Sequence, residues 1–157
     1  FREIVPISGR TGDGCAPLLD ALFRHLPEDE PLYDPELLTL HPERFLVVER
    51  IREKVLEATR DELPFTTAVL LERWEEVEPA PGLLRLHVSV LVERDSQKGI
   101  LVGKGGATVK AIGTAARLDL EAFLERRVHL ALNVRHEPGW REDERLLAEL
   151  ARDGELR

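Results

Sequence analysis

The chain holds 157 residues, of which 43% are hydrophobic and 33% charged, with a formal net charge of −8. That length suits one ordinary domain, or a small domain plus a fragment of another. The composition excludes a disordered polar chain and a continuous apolar span of membrane length, and a single cysteine, Cys15, excludes an internal disulfide or a thiolate metal cluster and fits a reducing compartment.

The chain opens at Phe1 and contains no methionine, so it is expected to belong to a longer translated product, with no signal peptide ahead of the fold. FREIVPISG at 1–9 predicts a short β-branched strand, punctuated by RTGDG at 10–14. Leu18, Leu19, Leu22, Phe23 and Leu26 then recur at helical spacing and predict a helix ending before Pro27. A strand, loop and helix without neighbouring strands read as the tail of a larger α/β domain, covering residues 1–26. Residues 27–42 are Pro-rich and acidic, and predict a linker with one short helical turn.

From Pro42 the pattern sharpens. Phe45, Val48, Ile51, Arg52, Val55, Leu56 and Thr59 recur every three or four residues, predicting an amphipathic helix over 43–62 that stops before Pro64. A strand over 66–77 carries Val69, Leu71 and Trp74, and EPAPG at 78–82 turns the chain. Leu84, Leu86, Val88, Val90 and Val92 alternate with Arg85, His87, Ser89, Leu91 and Glu93, predicting a strand over 84–93 that pairs as a hairpin with the one before it. A short helix over 97–101, a glycine turn and a second helix over 107–118 follow, the last with Val109, Ile112 and Ala116 facing inward. Residues 120–125 predict a short turn. Val128, Leu130, Leu132 and Val134 then alternate with polar and small residues as a third strand. The tail from Gly139 predicts a terminal helix docked by Trp140, Leu146, Leu147 and Leu150. The whole is an α+β architecture over 43–136, a three-stranded mixed sheet with helices on one face and the other left wet, followed by a tail over 137–157.

Charge is segregated along the chain. Residues 1–93 carry 10 Lys/Arg against 19 Asp/Glu, residues 94–136 carry 8 against 4, and residues 137–157 carry 4 against 7. Nucleic-acid binding answers to the field at the contact surface, so a small directed site within 94–136 is compatible with the acidic remainder.

Gly103–Lys104–Gly105–Gly106 sits in that basic segment, between two short helices. It matches the GxxG loop with which KH modules hold four nucleotides of single-stranded RNA or DNA. Glycine admits a close phosphate backbone and dihedrals that a Cβ penalises. The next helix's first N–H groups add positive potential, and Lys104 adds a charge at the tip. Bases would then lie against Ile100, Val102, Val109 and Ile112, with Arg94, Lys98, Lys110 and Arg117 along the phosphate path. The alternative reading makes the turn a helix C-cap with a solvated lysine. A nucleotide-binding P-loop is excluded, because no Lys-Ser/Thr pair follows four intervening residues.

Other candidates carry less chemistry. His87, His129 and His136 lack the clustering of a metal site, and Arg126, Arg127 and Arg135 belong with the last strand. Glu121 and Glu125 share a helix face without a nucleophile or histidine, and Cys15 has no histidine partner arrangement. No catalytic set is expected.

ERFLVVERIREKVLEATRDELPF at 43–65, VERDSQKGILVGKGGATVKAIGTAARLDLE at 92–121 and VHLALNVRHEPGW at 128–140 closely resemble the C-terminal half of the Era family of bacterial GTPases. The resemblance covers almost the whole chain. It implies a type II KH domain, of order α-β-β-α-α-β, preceded by the end of a Ras-like GTPase domain. It implies binding of the 3′ end of 16S ribosomal RNA, with Gly103, Lys104, Gly105 and Gly106 as the motif and Gln97, Lys98 and Lys110 around it, and a role in 30S subunit assembly. IVPISG resembles the last GTPase strand with its guanine loop, where Ser8–Gly9 stands in place of the family's usual Ser-Ala. Gly105 stands where other members often carry a larger residue. GTP and magnesium are implied for the longer protein and neither for this chain, whose phosphate-binding motifs would lie upstream. The resemblance also implies a cytoplasmic monomer with peripheral association at the inner membrane. The competing reading is a protein-interaction or structural domain without direct RNA contact.

Overall fold

The computed structural model describes residues 2–30, 32–34, 39–59, 66–77 and 82–152. Part of the expected linker turn (31 and 35–38), residues 60–65, the hairpin connection at 78–81 and the terminal 153–157 lie outside the described residues, and the helix expected over 43–62 ends at Glu57, before the described Ala58 and Thr59. The chain divides into two compact units, Phe1–Thr39 and Leu40–Arg157.

In the first unit residues 8–14 close into a loop, the Ser8 N–H donating to the Asp13 carbonyl and the Gly12 N–H to the Ser8 carbonyl, each at 2.9 Å. Helix α1, Cys15–His25, follows, and Arg24 and His25 both reach back to Glu3. The strand expected over 1–9 does not form in residues 2–8. An extended segment becomes a strand only through a lateral hydrogen-bonded partner, and the sheet's three strands all lie in the second unit.

The second unit runs α2 (Glu43–Glu57), β1 (Thr67–Val77), β2 (Leu83–Val92), α3 (Asp95–Val102), α4 (Ala107–Leu124), β3 (Val128–His136) and α5 (Glu144–Arg152). Spatial order is β1-β2-β3, with β1 antiparallel and β3 parallel to β2. The few residues between β1 and β2 suffice for a hairpin, whereas the parallel return needs a crossover, which α3 and α4 supply.

The alternating row Leu84, Leu86, Val88, Val90 and Val92 is fully buried beneath Val47, Ile51 and Val55 of α2 and Ile112, Ala116 and Leu120 of α4. Both helices therefore bury stripes spaced four residues apart. In α2 that stripe centres on Val47 rather than on Phe45, Val48 and Leu56, which are half-buried, and Arg52 faces solvent in a salt bridge with Glu49. In α4 it carries the helix past the expected end at 118. The turn expected over 120–125 is helix through Leu124, because Leu120 is buried four residues after Ala116.

The second sheet face is not left wet along its whole length. Trp140, Leu146 and Leu150 cover Ala68, Leu70 and Leu91, while Leu147, expected to help dock α5, is 40% exposed. A bulge between Leu71 and Arg73 shifts the register of β1. Beyond it Trp74 packs against the main core, with the Arg44 and Arg126 guanidinium groups 5.5 and 5.8 Å from its ring.

Helix α4 ends at Glu125, the one described non-glycine residue with a positive φ, 51°. It is exposed and forms no ion pair among the described residues. A side chain in this left-handed position costs about 1–2 kcal/mol, and glycine is the preferred residue there. Glu125→Gly is expected to raise the unfolding free energy by about 1 kcal/mol in urea titrations; a decrease would mean that the Glu125 side chain has a structural role.

Candidate nucleic-acid interface

Helix α3 stops where the Gly103 N–H donates to the Gly99 carbonyl at 2.9 Å. Gly103 has φ 73°, and a Cβ there would lie 2.2 Å from the Thr108 hydroxyl oxygen. Lys104–Gly106 make a single 3₁₀ turn in which Gly105 is left-handed at φ 60°, and a Cβ on Gly105 would meet nothing within 4 Å. The two glycines thus do different things. Gly103 lets the turn fold onto the start of α4, and Gly105 leaves the tip open for a close approach from outside. Helix α4 begins at Ala107 with no side-chain cap, so its positive end is available to an anion beside the exposed Lys104.

Past the turn an open groove of about 360 Å³ runs between α4 and the edge strand β3. Val109, Gly113 and Arg117 line it at four-residue spacing, with Lys110 and Thr114 beside them and Leu130 and Leu132 on the strand side. At Gly113 the helix lies within ordinary packing distance of the strand, the Leu132 side chain 3.9 Å from where a Cβ would stand. The Lys98, Lys104 and Lys110 ammonium groups form no ion pair among the described residues. A larger hollow of about 470 Å³ between α2 and α4 is different in kind. There Arg50 is tied to Asp119 at 2.9 Å and lies on the Phe123 ring, and Glu49 and Glu53 line the hollow.

Arg117 is held. Its Nη1 donates to Glu121 Oε2, and Glu121 Oε1 accepts the Val128 N–H at 3.1 Å. The Val128 bond, aided by the Arg117 charge and opposed by partial desolvation, holds the Glu121 carboxyl below its ordinary pKa.

The sequence-derived candidates separate into groups. Val109, Lys110 and Arg117 meet in the groove, one turn beyond Gly103–Gly106. Ile112 is only 3% exposed and belongs to the core instead of offering itself to a base. Ile100 is exposed and Val102 half-buried on α3, and neither lines the groove. Gln97 is buried, its Oε1 accepting the Arg94 N–H and its Nε2 donating to Thr66, both at 2.9 Å, so it fastens α3 to the start of β1. The Arg94 side chain is exposed at the start of α3, and Lys98 is half-buried. Ser8 and Gly9 sit in the first unit's loop, where Ser8 Oγ accepts the Thr11 N–H. Arg126 pairs with Glu43 and Glu76, Arg135 with Glu72 and Glu137. Among the described residues no three His, Cys, Asp or Glu side chains come together as a metal site. Gly113 and Thr114 escaped the sequence reading, although both fall on the stripe that starts at Val109 and Lys110.

Helix, hairpin, helix, glycine turn, helix and parallel strand define the type II KH arrangement, and residues 62–141 match the KH domain family. The chain belongs to that family. Within it, the chain is homologous to the bacterial Era GTPases. It is 49% identical to the GTPase Era of Geobacter metallireducens over 96% of its own length and 50% of that protein. Against the GTPase Era of Syntrophus aciditrophicus the identity is 44%, over 95% of this chain and 48% of the relative. Among solved structures it matches Era in complex with MgGDPNP and nucleotides 1506–1542 of 16S ribosomal RNA at TM-score 0.87 and 35% identity, over 96% of this chain and 50% of the other. An Aquifex aeolicus Era variant bound to GDP.AlF4- matches at TM-score 0.85 and 34% identity, with the same coverage. The chain spans about half the length of these relatives.

The geometry separates two glycines in neighbouring positions. Gly103→Ala is expected to cost about 2 kcal/mol or more, from a strained φ and the clash with Thr108. Gly99→Ala, in the exposed middle of α3 with nothing near its Cβ position, should instead stabilise by about 0.4–1 kcal/mol. Urea unfolding of both variants checks the pair; equal effects would mean that the turn does not have the strained form described.

Proposed function

We propose that the chain binds single-stranded RNA, with phosphates against Gly103–Gly106 and bases along the groove between α4 and β3. The observation that carries this reading is the open left-handed turn at Gly105, with lysines around it that have no ion pair among the described residues and an apolar-walled groove beyond it. Phosphates would meet Lys104 and the start of α4, while Val109, Leu130 and Leu132 would take base faces. The solved Era complex with 16S ribosomal RNA supports the 3′ end of that RNA as target, and a place in 30S subunit assembly and 16S maturation follows.

Residues 1–26 read as the last strand and helix of a GTPase domain in a longer protein. Exposed Ile4, Ile7 and Phe23 are suited to covering by such a domain, and the relatives named as GTPases are about twice this chain's length. GTP and magnesium would be held there, with Ser8 and Gly9 near the guanine. The longer protein would be a cytoplasmic monomer with peripheral membrane association; among the described residues no helix is long and apolar enough to cross a membrane. Titration calorimetry of residues 1–157 with GTP and magnesium should show no binding, because a guanine loop alone makes no phosphate contacts. Micromolar affinity would contradict this assignment of 1–26.

The RNA site is tested by Lys104→Asp combined with Gly105→Asp. Asp tolerates left-handed φ better than most residues, and its Cβ has open space at position 105, so the fold should survive by circular dichroism. Two carboxylates beside the phosphates should weaken binding of a labelled single-stranded RNA by roughly tenfold or more. The dependence of log K on log salt should become shallower by about 0.7 for each phosphate that the variant no longer neutralises. A folded double variant that binds as the parent does would place the site elsewhere.

A further inference from the structure

We propose that Arg117, held in place by Glu121, selects a guanine in the groove; the inference rests on the RNA-binding reading above. Arg117 differs from the other groove cation. Lys110 is exposed and has no ion-pair partner among the described residues, whereas the Arg117 guanidinium already has its counterion in Glu121. A neutralised cation gains little from a phosphate, since its charge is offset before the RNA arrives. It keeps the hydrogen-bonding capacity of a planar fork, of which the Glu121 contact occupies only part.

Glu121 fixes that fork. One carboxylate oxygen takes the Arg117 Nη1 and the other takes the N–H of Val128, the first residue of β3. The carboxylate is thereby tied to both walls of the groove, and it anchors one end of the guanidinium beside β3. The surroundings suit a base better than a phosphate: Val109, Leu130 and Leu132 supply apolar surface along the groove. Among the four bases guanine presents two adjacent acceptors, O6 and N7, to a donor fork. Adenine sets an amino donor beside N7 and would oppose an arginine donor, and each pyrimidine offers only one exposed acceptor or donor group on that edge. Arg117 is thus the specificity-determining residue and Glu121 its positioning residue.

The test uses residues 1–157 and labelled short oligouridines carrying one central guanine, adenine or cytosine, titrated by fluorescence anisotropy at two salt concentrations. The parent should prefer the guanine strand by roughly tenfold or more. Arg117→Lys keeps the charge and the partner but removes the planar fork, so the preference should fall severalfold with the salt slope unchanged. Glu121→Gln retains an acceptor for the Val128 N–H but releases the guanidinium. Its guanine preference should fall too, while the plain oligouridine binds more tightly with a salt slope steeper by about 0.7. A purely structural role for the pair would not produce that gain. Equal binding of all strands by the parent, or an undiminished preference in Arg117→Lys, overturns the inference while leaving RNA binding intact; an undiminished preference in Glu121→Gln overturns the positioning role. Should Glu121→Gln fail to fold, Arg117→Lys decides alone. Failure of the parent to bind any strand overturns the RNA-binding reading itself.

Discussion

The burial of β2 is the constraint on which the remaining geometry depends. Its five inward side chains lie wholly out of solvent beneath α2 and α4, and each such burial contributes about 1.5–3 kcal/mol. Because β3 lies parallel to β2, the chain must cross the sheet between them, and the glycine turn falls within that crossover. Packing of Ile112, Ala116 and Leu120 fixes the rotation of α4 about its own axis. With that rotation set, the stripe from Val109 through Gly113 to Arg117 faces the edge strand and makes one wall of the groove. The site is a consequence of the core, since turning α4 by one residue would close the groove and carry Arg117 away from it.

The acidity of the chain does not oppose this site. Several arginines of the second unit are in ion pairs: Arg50 with Asp119, Arg52 with Glu49, Arg126 with Glu43 and Glu76, Arg135 with Glu72 and Glu137. Among the described residues Lys98, Lys104 and Lys110 are not, and they lie within thirteen residues around the glycine turn. Charges more than about 8–10 Å apart are largely screened at physiological salt. A nucleic-acid strand at the turn therefore meets the local lysines and the end of α4, and only weakly the net charge of −8.

The periodic elements were legible because burial writes itself into spacing. The hairpin, β3 and the two helices flanking the turn follow from alternation of period two and stripes of period near four. The reading failed where a partner outside the local window decides the outcome. Residues 2–8 have strand composition but pair with no strand among the described residues. The segment at 120–125 is helical through Leu124 instead of a short turn, because buried Leu120 and half-buried Leu124 hold the helix to its end. Gln97 resembles a polar contact residue in sequence, yet its hydrogen bonds to Arg94 and Thr66 are made inside the fold. Glu121, dismissed for want of a catalytic companion, gains its meaning from Arg117 one turn earlier and from Val128 at the start of another element. The first of those partners is visible in helical spacing. The second requires the tertiary structure.

The central claim is that the glycine turn and the groove beside it form a single RNA-contacting surface. Amide chemical shifts of ¹⁵N-labelled residues 1–157, followed during titration with a short single-stranded RNA, test it most directly. The account predicts progressive shifts at Gly103, Gly105 and Gly106, extending through Val109, Gly113 and Thr114 to Leu130 and Leu132, while the amides of α2 and α5 stay in place. Unmoved glycine amides, with shifts centred on α2 or α5 instead, would contradict it.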